Sequence, residues 1–157
     1  MNIPSGAKDV LSQSLKGGTY MTNVVYVAVV LDDESMAKCR LMDPYHHKKS
    51  YGHHCTLAFG RAVTDGHLKL LGKTVELKCR MIVGDMNCSA VGLEPVQMCS
   101  NAHPHVTLSC GDGVSPVYSN SLFDKPEVVK KVDDVLHGTV MAFMDDGTWT
   151  SDPPVGL

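Results

Sequence analysis

His53-His54-Cys55-Thr56-Leu57-Ala58-Phe59-Gly60 and Pro104-His105-Val106-Thr107-Leu108-Ser109-Cys110-Gly111 follow one pattern: histidine, any residue, threonine, leucine and, a little further on, glycine. In a strand, successive side chains point to opposite faces, so residues two apart share a face. Regular alternation puts His54, Thr56 and Ala58 on one side of the first copy, with Cys55, Leu57 and Phe59 opposite. In the second copy His105, Thr107 and Ser109 share a side, with Val106, Leu108 and Cys110 opposite. The apolar set is core in both, and the other set is a histidine, a hydroxyl and a small residue. One His-x-Thr triplet carries little information, because chance supplies ~0.5 of them in a chain of this make-up. Two copies, both on strand patterns and both followed by leucine, carry much more.

Outward from these strands, the chain reads as α+β. Val24 to Leu31 is a continuous β-branched run of the kind found in a central strand. Glu34 to Met42 has helical spacing through Met36, Cys39 and Met42, and Pro44 stops it. Thr74 to Val83 alternates, with Val75, Leu77, Cys79 and Met81 on one side, and a further strand covers Cys88 to Leu93 after the Gly84-Asp85 turn. Asp124-Lys125-Pro126-Glu127 reads as a capping box with proline in the first turn. It predicts a helix with Val128, Val132 and Val135 on its apolar face and Lys125, Lys130 and Lys131 in solvent. Opposite charges at i,i+4 (Glu127 with Lys131, Lys130 with Asp134) favour the same reading. A last strand spans Thr139 to Met144. Strands interleaved with two or three helices, without regular alternation, indicate an α+β domain over residues 21–157, preceded by a peripheral segment, residues 1–20.

At 157 residues, 43% hydrophobic and 20% charged, the chain suits one globular domain. It has no apolar run long enough for a membrane span and no secretory core near Met1, which predicts a cytoplasmic or nuclear protein in a reducing compartment. The six cysteines lack a framework spacing, so buried reduced thiols are expected. A net charge of −3 argues against a long nucleic-acid duplex as partner, while leaving a short anionic ligand open. His46, His47, His53 and His103 with Cys55 or Cys110 invite a zinc reading, but the spacing fits no common structural site. No metal or other cofactor is expected.

The paired motif suits phosphodiester hydrolysis. In-line displacement at phosphorus needs a base on the attacking water and an acid on the departing oxygen, and histidine can serve as either near neutral pH. Two hydroxyls can hold and polarise the non-bridging oxygens. His54 and His105 are therefore the candidate catalytic pair, and Thr56 and Thr107 the candidate phosphate contacts. Tyr51 and Lys49, in the Tyr45 to Tyr51 stretch, could form a flexible lip that stacks a base and neutralises phosphate. The alternative for that stretch is a solvated loop. Tyr118 follows the second motif closely enough to reach a cleft or to sit in the core. Trp149 reads as a packing anchor.

The two His-x-Thr-Leu strands resemble those of the 2H phosphoesterase superfamily, which includes LigT-like RNA phosphodiesterases and the cyclic phosphodiesterase domains of tRNA ligases. The resemblance spans roughly residues 21–145. It implies a compact bilobal fold, with two antiparallel sheets around a central cleft and pseudo-two-fold symmetry. It implies metal-independent hydrolysis of an RNA-terminal or nucleoside 2′,3′-cyclic phosphate, in RNA end processing or repair. It also implies His105 as base and His54 as acid. The expected partner is an RNA 3′ end or a small cyclic nucleotide, met by a monomer. The alternatives are a 2′,5′-phosphodiesterase and a non-catalytic module of the same fold that binds a nucleotide or RNA end.

Overall fold

The computed structural model describes residues 23–124 and 128–156; the peripheral segment predicted over residues 1–20 lies outside them. Among the described residues nine strands pair antiparallel: β1 (Val24–Leu31), β2 (Lys49–Ser50), β3 (His54–Phe59), β4 (Thr74–Gly84), β5 (Cys88–Leu93), β6 (His105–Cys110), β7 (Val128–Lys131), β8 (Val135–Met144) and β9 (Trp149–Thr150). Their order is β2-β6-β5-β4-β8-β1-β3, with β7 added on β4 and β9 on β8. Two α-helices, α1 (Asp33–Met42) and α2 (Asp65–Lys69), and two 3-10 segments, Gly60–Ala62 and Pro116–Phe123, complete the described elements.

The long strand β4 serves both ends of the sheet. Thr74 to Lys78 pairs with β8, whereas Cys79 to Gly84 pairs with β5 and, along its other edge, β7. Just past the change of partner, Arg80 forms a bulge, an extra residue between Cys79 (opposite Leu93) and Met81 (opposite Gly92). Before this bulge only the alternate residues Leu77 and Cys79 are buried; beyond it Ile82 and Val83 are both buried.

One face of the sheet carries the main core, which gathers Val27, Val29, Leu57, Leu77, Ile82, Val91, Val106, Leu108, Leu136 and Val140 with Cys39 of α1 and Leu68 of α2. Asp32 caps α1 by accepting from the Ser35 amide at 2.8 Å, and Ser35 Oγ accepts from the His137 amide at 2.8 Å, which ties the helix to β8. Two smaller clusters sit apart. One has Val25, Tyr26 and Ala28 with Phe143 and Trp149; the other has Val83, Cys88, Ala90, Cys110, Leu122 and Phe123. None of the six cysteines is in a disulfide. Among the described residues no helix is long and apolar enough to cross a membrane.

The helix predicted from Asp124 onward does not form over Val128–Lys131, which is strand β7 on the open edge of β4; the capping residues 125–127 lie outside the described residues. Lys130 and Lys131 are exposed on that strand. The i,i+4 charge pairs are worth only tenths of a kcal/mol each. β-Branched neighbours beside a free sheet edge outweigh them.

Candidate functional site

Each motif strand departs from regular alternation at the same place. Against β1, Thr56 stands opposite Ala28 and Ala58 opposite Val27, which leaves Leu57 as an extra residue. Against β5, Thr107 stands opposite Ala90 and Ser109 opposite Ser89, which leaves Leu108 extra. These are matching β-bulges on the leucine that follows each threonine. A bulge reverses the face of everything beyond it, so the expectation that Ala58 and Ser109 share the histidine face is corrected. Ala58 is fully buried, and Phe59 (42% exposed) takes the histidine side instead, with its ring 5.9 Å from Tyr26. Ser109 is buried and bonds Ser89 Oγ at 3.0 Å, while Cys110 joins the cluster containing Ala90 and Phe123.

The carbonyls at both bulges are answered by the chain that leads into the other motif. The Ser100 amide donates to Leu57 O at 2.7 Å, and the Cys99 thiol lies 3.6 Å from Thr56 O. The Tyr51 and Gly52 amides donate to Leu108 O and Thr107 O, both at 2.8 Å. Gly52 has φ +60, and a Cβ there would stand 2.9 Å from that of Cys39, so a residue with a side chain would both strain this bridge and push on α1. This cross-bracing brings β3 and β6 side by side, and a charge on His105 acts on His54.

His54 lies in an aromatic nest. Its ring centroid is 5.5 Å from Tyr26 and 5.6 Å from Trp149, so Trp149 both anchors packing and contacts a motif histidine. Its Nδ1 is 2.9 Å from Nδ1 of His53, and the rings meet edge to face. A bond between two ring nitrogens needs one proton, not two. Burial, then the neighbouring His53 and His105, push the His54 pKa down to about 4, so it stands neutral at physiological pH. Burial also lowers His53.

His105 has a different setting. Its Nδ1 donates to the His103 carbonyl at 2.7 Å, and Nε2 lies 3.0 Å from Ser119 Oγ. Ser119 is 1% exposed; its Oγ also lies 2.8 Å from Thr107 Oγ1 and 2.7 Å from the Pro116 carbonyl, to which it can donate. The Phe123 ring covers His105 at 5.1 Å and stacks parallel on His103 at 5.5 Å. Burial lowers the His105 pKa, while the bond to the His103 carbonyl raises it. A cavity of about 190 Å³ opens beside His103 and Phe123, with Arg80, Gly92 and Asn101 also in its wall; none of His54, Thr56, His105 and Thr107 lines it. Sequence reading missed Ser119. The only local signal was a serine among turn formers fourteen residues from the histidine it meets.

Tyr51 packs in the Phe123 cluster, and burial raises its hydroxyl pKa. Lys49 is exposed on the edge strand β2, opposite Cys110. Tyr118 is held elsewhere: its hydroxyl donates to Asp85 at 2.7 Å and accepts from Asn87 at 3.2 Å, which fastens the 3-10 segment to the β4–β5 turn. The Tyr45 to Tyr51 stretch is tied down, with Tyr45 stacked on His47 and the His47 amide bonded to Ser109 Oγ at 3.1 Å. Among the described residues no group of three or more His, Cys, Asp or Glu side chains could hold a metal ion. In comparisons with known proteins, no family model and no curated sequence matches the chain.

Proposed function

We propose that this protein hydrolyses a 2′,3′-cyclic phosphate, on a nucleoside or at an RNA end, by in-line displacement between His54 and His105 without a metal. The observation that carries this reading is the equivalence of the two motif strands. Each presents a histidine and a threonine two residues apart, each bulges at the next leucine, and each rests its histidine on an aromatic ring. The finer description of the fold, two half-sheets related by a pseudo-two-fold axis as in 2H phosphoesterases, belongs to the same proposal and rests on those matched bulges. A reducing cytoplasmic or nuclear setting also belongs to it, supported by six unpaired thiols.

In this reading the phosphorus sits between the imidazoles. One takes a proton from water as its oxygen bonds to phosphorus; the other gives a proton to the ribose oxygen as the P–O bond breaks. Thr56 and Thr107 hydroxyls donate to the non-bridging oxygens, which gain charge in the transition state. The nucleoside occupies the cavity walled by the His103 and Phe123 rings and Arg80. Tyr118, with its hydroxyl engaged by Asp85, is left out of the phosphate contacts.

The test is turnover of 2′,3′-cyclic mononucleotides and of an RNA oligonucleotide ending in a cyclic phosphate, with and without EDTA. Ring opening to a monophosphate, equal in both conditions, is expected. Activity that EDTA abolishes and zinc or manganese restores overturns the metal-free mechanism. Saturable binding with no turnover replaces the enzyme with a binding module.

A further inference from the structure

Four hydrogen bonds meet around His105, and their protons can be counted. They join Nδ1 to the His103 carbonyl, Nε2 to Ser119 Oγ, Ser119 Oγ to the Pro116 carbonyl, and Ser119 Oγ to Thr107 Oγ1. Both carbonyls accept only. With neutral His105 the network holds three protons (one each on the imidazole, Ser119 and Thr107) for four bonds, so one bond goes unmade. With cationic His105 it holds four, and every bond forms: Nδ1 to His103 O, Nε2 to Ser119 Oγ, Ser119 to Pro116 O, and Thr107 to Ser119. Ser119 then donates once and accepts twice, the full capacity of a hydroxyl.

We infer that Ser119 is a positioning residue that favours the proton-bearing form of His105, making His105 the acid of the proposed reaction and leaving His54 as its base. This rests on the cyclic-phosphodiesterase reading and reverses the roles that the family resemblance implies. The contrast with His54 supports it. The His53–His54 contact, ring nitrogen to ring nitrogen, accommodates one proton and is broken by a second, whereas the His105 network is completed by one. Environments that push two titratable groups apart assign acid and base. The titratable groups acting on His105 are His103, from the chain entering β6, and His54, from β3; neither brings a negative charge. Burial works against the proton, and the His103 carbonyl and Ser119 work for it. In the resting state the Thr107 hydroxyl is turned toward Ser119. Phosphate binding redirects it to a non-bridging oxygen, and Ser119 keeps its bonds to His105 and Pro116.

The simpler role for Ser119 is to close its own 3-10 turn through Pro116 O, as Ser121 does through Tyr118 O. The experiment separates the two roles by following the ring nitrogens of His54 and His105 by NMR across the pH range in the full chain, in wild type and in Ser119→Ala. The His105 pKa is expected to fall by about one unit, roughly tenfold in proton affinity, while that of His54 holds. On 2′,3′-cyclic AMP the alkaline limb of the kcat profile should move to lower pH by the same amount, with KM little changed. Ser119→Thr, which keeps the hydroxyl, should restore both. Should Ser119→Ala not fold, Ser119→Cys keeps nearly the same volume with a weak donor, and the same shift is expected. An unmoved His105 titration in a folded variant overturns the inference, and movement of the acid limb instead overturns the assignment of His105 as acid. A wild type without turnover, in which Ser119→Ala still lowers His105, overturns the phosphodiesterase reading alone.

Discussion

His54 should make the fold sensitive to mild acid. Its pKa is about 4 in the folded protein, against about 6.5 for an unperturbed histidine. The group is depressed on folding, so between those values the unfolded chain binds more protons, and stability falls as pH drops from 6.5 toward 4. At pH 7.5 neither state is protonated and the contribution is close to zero. At pH 4.5 the unfolded histidine is almost fully protonated and the folded one about a quarter, which costs about 2.5 kcal/mol at 1.36 kcal/mol per unit. His54→Phe keeps a ring against Tyr26 and Trp149 and removes the titration. Urea unfolding of both proteins at pH 7.5 and pH 4.5 checks this. Wild type should lose about 2.5 kcal/mol more than the variant, about 1 M in midpoint for an m-value near 2 kcal/mol/M. His53 and His105, also depressed, remain in both proteins and cancel to first order. Equal losses in the two proteins would refute the claim that folding strips His54 of its proton.

Three further outcomes are expected. His54→Ala and His105→Ala should each slow single-turnover opening of 2′,3′-cyclic AMP by about two to four orders of magnitude, and the double variant should be scarcely worse than either. Thr56→Ala and Thr107→Ala should each raise the barrier by a few kcal/mol at most, Thr56→Ser being close to wild type, as read from kcat/KM. Gly138→Ala places a Cβ 2.5 Å from Val30 O and 2.7 Å from Val29 Cγ1 in the middle of the sheet, and should cost about 1–3 kcal/mol in denaturant unfolding without moving the pH profile of turnover.

The strands that carry the motifs were legible because their alternation is set by local burial: β3 and β6 begin and end where the pattern of His54 to Phe59 and His105 to Cys110 does. The bulges were not. An inserted residue changes which side chains share a face without changing composition, and Leu57 and Leu108 look like any core leucine in a strand. Nor was the His53–His54 contact readable. Adjacent residues in a regular strand diverge, and these two meet because His53 lies just outside β3. Ser119 was hidden for a related reason, since its partners are assembled by tertiary packing of a 3-10 turn on β6. The segment after Asp124 misled because short-range helix signals were present and the competing partner, the free edge of β4, is set by residues more than forty positions away.

The continuous strand Thr74–Gly84 has a mechanical consequence. It belongs to the hydrogen-bonded ladder on both sides of the site, so the two halves share a stiff beam where many two-part sites have a soft linker. Moving β3 away from β6 means bending that beam or breaking ladder bonds. Small displacements are therefore elastic and large ones are costly. In the proposed phosphodiesterase reading, a beam that resists bending would sort ligands by size before any chemistry begins, admitting a tetrahedral phosphoryl group and refusing bulkier centres that a hinged site would open to accept.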